Sequence, residues 1–388
     1  MVSLRGAHSG LLGPVTFGGL VSRNHFMGVM IAFGSAPLET KESYVKKVAV
    51  IGAGYWGPNL IRNFRSHDAI SGIVACDTDT GRLARVAKQF PGLECLSNYE
   101  DTLKLADVDA VAIATPVRFH YPMAKAALQA GKHVLLEKPM VNHIAQAREL
   151  IELAEAKKLV LMVDHTFIYT GAVEKIAQIC QSRDFGDFYY VDSVRINLGL
   201  FQHDVNVMWD LATHDLSIVN HLLQRKPKVV RAIGQSHVEA DLVDVAYINV
   251  EYGYHIMANF HVNWLSPTKV RHMIFAGSNR MIVWNDLDPA EKIRVYDKGV
   301  NIKRTDREGQ YATQVGYRTG DAWLPKCDGT EALQKMTGHF LECIQQSKKP
   351  LTGGPEGLEV VMALEASELS LAHGGRPVGI EGEKIALV

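Results

Sequence analysis

Cysteine is scarce and scattered in this sequence, which also lacks an excess of charge and any long apolar run. Five cysteines occur among 388 residues, without a Cys-x-x-Cys pair or a Cys/His cluster, which argues against a disulfide framework or a zinc site. The formal net charge of −1 gives no electrostatic reason to expect nucleic acid or a membrane as a partner. We therefore expect reduced thiols, a cytoplasmic location and no metal.

Residues 1–43 are predicted to form a flexible extension ahead of the fold. The segment is rich in Gly and Ser and has no acidic residue before Glu39. Glycines and a proline interrupt its apolar stretches, none of which approaches the ~18–20 residues of a membrane span. An organelle transit peptide is the alternative interpretation of this extension.

The segment Lys47–Asn59 (KVAVIGAGYWGPN) carries the clearest functional signal. A β-branched run meets Gly52, Gly54 and Gly57 in G-x-G-x-x-G spacing, and a helical pattern opens at Leu60. In such turns the first glycine allows the tight turn, the second lets the backbone approach a pyrophosphate, and the third lets the helix pack closely. The helix N-terminus adds free N–H groups for the phosphates. The motif predicts a dinucleotide-binding site.

Asp77 is predicted to select NAD(H) over NADP(H). It ends the next predicted strand ~20 residues after the last glycine, where an acid meets the adenosine ribose. Thr78 and Asp79 follow, with no adjacent Arg or Lys to neutralise a 2′-phosphate. The alternative is an ordinary acid in a surface turn. Tyr55 and Trp56, inside the glycine motif, either line the cofactor cleft or pack behind it.

Strand-like and helical patterns alternate over residues 44–166, which predicts an α/β domain with a doubly wound parallel sheet of the Rossmann type. The expected strands are Lys47–Gly52, Gly72–Asp77, Val108–Thr115, Lys132–Glu137 and Val160–Val163. The expected helices are Leu60–Ser66, Thr80–Gln89, Tyr121–Ala130 and Ile144–Lys157.

The pattern changes over residues 167–388, which are predicted to form an α+β domain on a large, mostly antiparallel open sheet. The expected strands are Phe188–Asn197, Asp241–Tyr252, Tyr254–Trp264, Val270–Gly277, Met281–Asn285 and Ile293–Asp297. The expected helical regions are Val207–Leu223, Thr330–Gln346 and Pro355–His373. The C-terminal helix is expected to be able to pack back on the first domain.

Polar residues follow three of the predicted parallel strands, at the edge where ligands of such sheets bind. They are Thr115 and Pro116, Glu137 and Lys138, and Asp164 and His165. The ammonium of Lys138 could donate a hydrogen bond to a substrate hydroxyl near the nicotinamide. The alternative is a surface lysine at a strand end.

Asp210 and His214 form a second candidate pair. Their i, i+4 spacing places both on one side of a helix. A carboxylate that holds an imidazole fixes its tautomer and stabilises the imidazolium, so the pair suits a general base. The alternative is that His214 only forms part of a polar helix face.

Together these segments resemble the Gfo/Idh/MocA family of sugar and polyol oxidoreductases. The motifs that carry the resemblance are GAGYWGPN, the TP…H element with Thr115, Pro116 and His120, LLEKPM and WDLATHD. The resemblance implies a catalytic group of Lys138, Asp210 and His214, and a cofactor surface that also includes His120 and Glu137. It also implies a homodimer or homotetramer formed through the C-terminal sheet.

Within the family, Ile196–Asp215 and Asn263–Arg271 resemble the branch that oxidises C3 of UDP-linked N-acetylhexosamines or their uronates. This resemblance suggests substrate contacts from Arg195, Asn197, Asp215, Lys269 and Arg271. Two cations at i, i+2 on a strand share one face and suit a multiply charged anion. The alternative is a solvated strand face.

Two rival functions stay open at this point. One is oxidation of inositol or a free sugar, or reduction of a 3-keto sugar, by an enzyme of the same family. The other is an NAD-binding regulator without turnover, which the presence of Lys138, Asp210 and His214 disfavours.

Overall fold

The computed structural model describes residues 45–199, 201, 204–307 and 310–388, and for 301–307 and 310–315 the backbone alone. The predicted extension over residues 1–43 lies outside the described residues. In the part of the chain that is described, no helix is both long and apolar enough to cross a membrane.

Six parallel strands form the sheet of the N-terminal half, in the order β3-β2-β1-β4-β5-β6. The strands are β1 (Val45–Ile51), β2 (Ile70–Cys76), β3 (Glu94–Leu96), β4 (Val108–Ile113), β5 (His133–Glu137) and β6 (Leu161–Asp164). The strand order reverses between β1 and β4, which is where doubly wound sheets open a ligand crevice. The predicted Rossmann-type sheet is confirmed, although the short edge strand β3 was not predicted.

Helices cover both faces of this sheet, because a parallel sheet must bury both. They are α1 (Gly57–Phe64), α2 (Thr80–Gln89), α3 (Tyr99–Lys104), α4 (His120–Gln129) and α5 (Ile144–Lys157). Alternate residues of β1 enter two separate cores. Val48 and Val50 pack with Leu60 of α1, whereas Ala49 and Ile51 join the core that contains Leu150 of α5.

Ten strands form the second sheet, in the order β14-β13-β12-β11-β7-β10-β9-β8-β15-β16. They are β7 (Phe188–Leu198), β8 (Val229–Gln235), β9 (Val245–Gly253), β10 (Ile256–Asn263), β11 (Leu265–Gly277), β12 (Met281–Asn285), β13 (Ile293–Arg307), β14 (Gln310–Trp323), β15 (Val378–Glu381) and β16 (Lys384–Leu387). Neighbouring strands run antiparallel except β7 and β10. The predicted mostly antiparallel sheet is confirmed, with β8, β14, β15 and β16 added to the expected strands.

The helices of the second half connect the two sheets. They are α6 (Gly171–Cys180), α7 (Thr213–Leu223), α8 (Ala332–Gln346) and α9 (Gly354–Ala372), and a π-helical turn (Met208–Ala212) leads into α7. Helix α8 packs on α1, where the rings of Phe64 and Phe340 lie 6.3 Å apart. Helix α9 lies along α5, where Glu365 accepts the backbone N–H of Ile144 at 3.1 Å. The π-helical turn before α7 lies at the carboxyl end of β5, where Asp210 contacts Lys138.

Candidate active site

The glycine turn after β1 has the geometry that its spacing predicts. Gly52 has a φ of +98°, and a Cβ there would lie 2.5 Å from the carbonyl oxygen of Ala114. A Cβ on Gly57 would lie 2.1 Å from the carbonyl oxygen of Gly52, so only glycine lets α1 begin this close to the strand. Over Gly54, the closest neighbour of a Cβ would be a guanidinium nitrogen of Arg82 at 4.0 Å. The backbone at Gly54 is therefore open to a ligand.

Asp77 lies beside the glycine turn, directly after β2. Its Oδ2 accepts the N–H of Ala53 at 2.7 Å and its Oδ1 accepts the N–H of Asp79 at 2.8 Å. These bonds tie the acid to the glycine turn and leave lone pairs on both oxygens. Helix α1 begins without a side-chain cap, so its N-terminal N–H groups can serve a phosphate. Asp77, the glycine turn and the helix N-terminus together fit a dinucleotide.

A cation that is not adjacent to Asp77 in the sequence lies near it in the structure. Arg82, in the first turn of α2, places Nη1 at 3.7 Å from Asp77 and Nε at 3.4 Å from Asp79. The sequence spacing of five residues conceals this contact, because Asp79 caps α2 and the helix turns Arg82 back toward the strand end.

Tyr55 and Trp56 are exposed and do not pack behind the turn. Their side chains are 81% and 41% exposed, and the two rings meet edge to face at 5.3 Å. Thr115 and Pro116 follow β4 at the same edge of the sheet, where Thr115 is half-buried and Pro116 is exposed. All four residues remain candidates for the rim of the cofactor cleft.

His120 has a different role from the one the resemblance implies. It is 1% exposed, and its ring nitrogens lie 2.9 Å from the carbonyl oxygen of Pro139 and 2.8 Å from that of Thr115. Burial lowers the pKa of His120, although both carbonyls favour the charged form. His120 therefore joins the turn after β4 to the turn after β5 from beneath and is a positioning residue. The Lys138–Pro139 peptide bond in that second turn is cis.

Lys138 and Asp210 meet at the carboxyl end of β5. Lys138 Nζ donates to Asp210 Oδ1 at 3.0 Å and to the carbonyl oxygen of Asp210 at 2.9 Å. Trp264 Nε1 donates to the other carboxylate oxygen at 3.1 Å. The side chains of Lys138 and Asp210 are 14% and 19% exposed, so the ammonium is fixed in direction and still reachable by a ligand.

Asp210 does not hold the imidazole of His214, contrary to the expectation from their spacing. Both carboxylate oxygens of Asp210 are bonded to Lys138 and Trp264, and His214 Nδ1 is buried without a partner among the described residues. Asp210 lies in the π-helical turn and His214 in the α-helix that follows. A π turn bonds i to i+5 and changes the angular register, so the i, i+4 rule for an α-helix fails here.

Phe167 connects His214 to two arginines. Its ring lies 5.0 Å from that of His214, edge to face, and the guanidinium carbons of Arg195 and Arg271 lie 4.5 and 5.7 Å from its centroid. Arg195 on β7 and Arg271 on β11 are directly opposite each other in the sheet. Like charges in that position repel, so the pair needs anions nearby.

Each arginine already has one carboxylate partner. Arg195 donates to Asp215 from Nε at 2.8 Å and Nη2 at 2.5 Å, and Ser193 donates to the other oxygen of Asp215 at 2.8 Å. Asp215 is 1% exposed. The expectation that Asp215 contacts substrate is therefore wrong; it orients Arg195. Arg271 is 33% exposed and lies 3.3 Å from Asp286.

The other two expected substrate contacts lie on the same strands. Asn197 is half-buried on β7 and shares the face of Arg195, since strand side chains alternate. Lys269 is exposed on β11, where the pairing with β7 is irregular between Leu265 and Val270. Both positions remain candidates.

Glu137 is buried and contacts a second acid instead of lining the cofactor surface. Glu137 on β5 and Asp164 on β6 are paired neighbours and are 8% and 2% exposed. Burial, and then the charge of Asp164, raise the pKa of Glu137 well above its usual range. Burial also raises the pKa of Asp164. Both shifts favour the protonated form of a carboxyl, so the pair is a candidate support for the strand ends.

Three contributors to the site were not predicted from the sequence: Phe167, Trp264 and Arg82. Trp264 lies inside Asn263–Arg271, a segment that carries the resemblance, and Phe167 lies three residues after Asp164, the end of β6. An aromatic residue has no chemical signature of its own in a sequence, and its contacts depend on which strands and helices pack together. Arg82 could have been found by placing Asp79 at the N-cap of α2.

Comparisons with known proteins agree with this geometry. Residues 46–165 match the oxidoreductase family with an NAD-binding Rossmann fold, and residues 173–283 match the GFO/IDH/MocA C-terminal domain. UDP-N-acetylglucosamine 3-dehydrogenase of Acidithiobacillus ferrooxidans is 32% identical over 325 residues, which cover 82% of this chain and 94% of that protein. The chain belongs to the Gfo/Idh/MocA family.

Solved structures give the same result for the fold. The structure of UDP-N-acetylglucosamine 3-dehydrogenase GnnA from Acidithiobacillus ferrooxidans superposes with a TM-score of 0.68 at 25% identity, covering 84% of this chain and 98% of that one. The WlbA dehydrogenase from Bordetella pertussis, solved with NADH and UDP-GlcNAcA, superposes with a TM-score of 0.70 at 16% identity, covering 87% and 99%. The chain is thus an oxidoreductase with an NAD-binding Rossmann domain.

Proposed function

We propose that the protein is an NAD-dependent dehydrogenase that oxidises a secondary alcohol of a UDP-linked N-acetylhexosamine or its uronate, at C3. The observation that carries the proposal is the pairing of Lys138 with Asp210 at the carboxyl end of the NAD-binding sheet, beside His214. Two opposed arginines, Arg195 and Arg271, lie on the same side of the site. The similarity to UDP-N-acetylglucosamine 3-dehydrogenase supports the choice of sugar.

The coenzyme would be held by the turn Gly52–Gly57, by Asp77 and by the edge at Thr115 and Pro116. When bound, NAD⁺ accepts the hydride from the alcohol carbon. The chain supplies orientation and the proton chemistry. Lys138 Nζ would donate to the substrate oxygen and stabilise the negative charge that grows there.

His214 would accept the hydroxyl proton. Burial, and then the positive charges of Lys138, Arg195 and Arg271, lower the pKa of His214 well below its usual range. The imidazole is therefore neutral at pH 7 and free to accept a proton. An anionic substrate beside the arginines would offset their positive charge and raise the pKa of His214. Substrate binding would therefore make His214 a stronger base.

An activity panel tests the substrate. The protein is incubated with NAD⁺ and, separately, UDP-N-acetylglucosamine, its uronate, scyllo-inositol and glucose, and NADH absorbance is followed. We expect turnover with a UDP-sugar and none with Lys138→Met. Turnover on inositol without turnover on either UDP-sugar would overturn the substrate, and strict dependence on NADP⁺ would overturn the coenzyme.

We also propose that the protein forms a homodimer or homotetramer through the ten-stranded sheet, in the cytoplasm. Three large apolar side chains are exposed on the sheet face away from the helices: Ile233, Tyr247 and Met257, at 58%, 51% and 42%. Light scattering with gel filtration should give two or four chains. Tyr247→Glu should reduce that number, and a monomeric wild-type protein would refute the proposal.

A further inference from the structure

His165 is a buried imidazole that the proposed chemistry does not use. It follows β6, is 1% exposed, and neither of its ring nitrogens has a hydrogen-bond partner within the described ranges. Buried polar groups are normally bonded to protein or to ordered water, and an unsatisfied one is costly. A buried imidazole with two such nitrogens therefore points to a polar ligand beside it.

A cavity of about 340 Å³ begins at His165. Its wall includes Asn220 and His221 of α7 and Glu359 of α9. Asn220 Nδ2 is also buried and has no partner in the part of the chain that the structure describes. Leu351, which is 45% exposed, lines the cavity too, so it opens to the surface. At ~30 Å³ for each water, the volume holds on the order of ten molecules.

Helix α7 carries a polar stripe from the active site to this cavity. His214, Ser217 and His221 follow one another at intervals of three and four residues, which is one face of a helix, and the helix ends at its C-cap, Gln224. The last three line the cavity. Leu216, Ile218 and Val219, which lie between these positions, are apolar and buried. The stripe thus begins at the proposed base and ends at the opening.

We propose that His165 and this cavity form a proton passage between His214 and the solvent at the α7–α9 side of the molecule. The inference rests on the proposed function, because oxidation of the alcohol releases a proton. The alcohol and NAD⁺ give a ketone, NADH and H⁺: the hydride carries away the C–H electron pair, and the hydroxyl proton goes to His214. His214 must then lose that proton before the next turnover.

Charges of both signs lie along the passage, including Arg225 and Lys226 in the cavity wall, where Lys226 lies 3.2 Å from Glu359. Lys138 and His214 face His165 on the active-site side, Glu137 and Asp164 lie at the adjacent strand ends, and Glu356 and Glu359 lie toward α9. Burial, and then the charge of Lys138, lower the pKa of His165 to about 3, so a proton does not stay there. Burial raises the pKa of Glu359, which makes it a better acceptor near the opening.

The test separates hydride transfer from proton release. Stopped-flow absorbance follows NADH, and a pH-indicator dye follows the released proton. In wild type, NADH formation and proton release should have the same rate. In His165→Leu we expect one NADH per site at the wild-type rate, then a steady state roughly 10-fold slower with proton release lagging. Added imidazole or the variant His165→Gln should restore part of the rate, and kcat/KM for both substrates should stay at the wild-type value.

A second variant and a control keep the test independent of folding defects. His221→Leu, farther along the cavity, should show the same lag, whereas Leu222→Val on the apolar side of α7 should not. Equal slowing of the first turnover and the steady state, or no slowing in either cavity variant, would overturn the passage.

A measurement that needs no turnover distinguishes failure of the proton passage from failure of the proposed function. Deuterium exchange at C2–H of His165, read by mass spectrometry, should proceed in wild type and slow in His221→Phe, which fills the cavity. If wild type oxidises no sugar, the proposed function fails and the exchange result still decides whether water reaches His165. Exchange that is equally slow in both proteins would refute the passage.

Discussion

Two aspartates on one helical segment pair with cations from other elements, yet their surroundings differ. Asp210 pairs with Lys138 at 3.0 Å, and the two side chains are 19% and 14% exposed. Asp215 pairs with Arg195 at 2.5 Å, and these side chains are 1% and 5% exposed. A partly exposed pair can exchange a contact for substrate, whereas a buried pair with all its bonds made can only hold position. An aspartate–cation pair is thus available for the reaction at Asp210 and has a structural role at Asp215.

Removing Lys138, the partly exposed cation, should give the largest fall in activity. Lys138→Met should lower kcat about 10²–10⁴-fold, because the growing charge on the substrate oxygen loses its donor. The melting temperature should change little, since the pair is partly exposed. NADH titration by fluorescence is the control and should give an unchanged Kd. Near-wild-type turnover in both Lys138→Met and His214→Ala would refute the assigned site.

Breaking the buried pair should act on stability instead. Asp215→Asn leaves the Arg195 charge buried without its counter-ion, which costs about 3–5 kcal/mol. Urea unfolding, followed by circular dichroism, measures the free energy of unfolding. The matched variant Asp210→Asn should lose much less stability and much more kcat. The comparison fails if the two variants lose similar stability.

Substitution of Arg271, the less buried of the two opposed arginines, should change KM for charged substrates only. Arg271→Gln should raise KM for the UDP-sugar roughly 10-fold, in keeping with the loss of one charged hydrogen bond. KM for an uncharged sugar should not move. Arg294→Gln, an exposed arginine paired with Glu291, is the control. An equal rise in KM for both kinds of sugar would contradict an anionic ligand at Arg271.

The acid pair beneath the site should give a small pH effect. The folded protein raises the pKa of Glu137 above its ordinary value of 4.5. Its contribution to stability is therefore full below pH 4.5 and is lost as pH rises through the raised pKa. Glu137→Gln cannot lose a proton. The melting temperature of the variant minus that of wild type should therefore rise by about 2–4 °C when the pH is raised from 5 to 9.

The control for the acid pair is Glu100→Gln, an exposed glutamate on α3. Its melting temperature should follow that of wild type at every pH. A constant offset between Glu137→Gln and wild type across the pH range would show that the acid pair holds no extra proton.

Local sequence patterns predicted much of the fold and part of the candidate site. Helices α2 and α5 have the bounds that the sequence predicts, because apolar periodicity and capping are local. β3 and α3 were missed because both are short, and α6 because its apolar run was not recognised as a helix. β15 and β16 were missed because each has only four residues, too few to show a period, and β8 was missed although it pairs with the next strand, β9. Among the site residues, His120, Glu137 and Asp215 were placed on ligand surfaces but are buried, which depends on packing.

The sequence by itself determined the glycine turn, the acid at the end of β2 and the lysine at the end of β5. These features obey local rules: a positive φ needs glycine, and residues after parallel strands share one edge. Only the tertiary structure decided which partner each charge takes. The π-helical turn directs Asp210 to Lys138 and Trp264, β7 brings Arg195 to Asp215, and Phe167 lies between His214 and the arginines. Such pairings join residues far apart in the chain, so no local pattern encodes them.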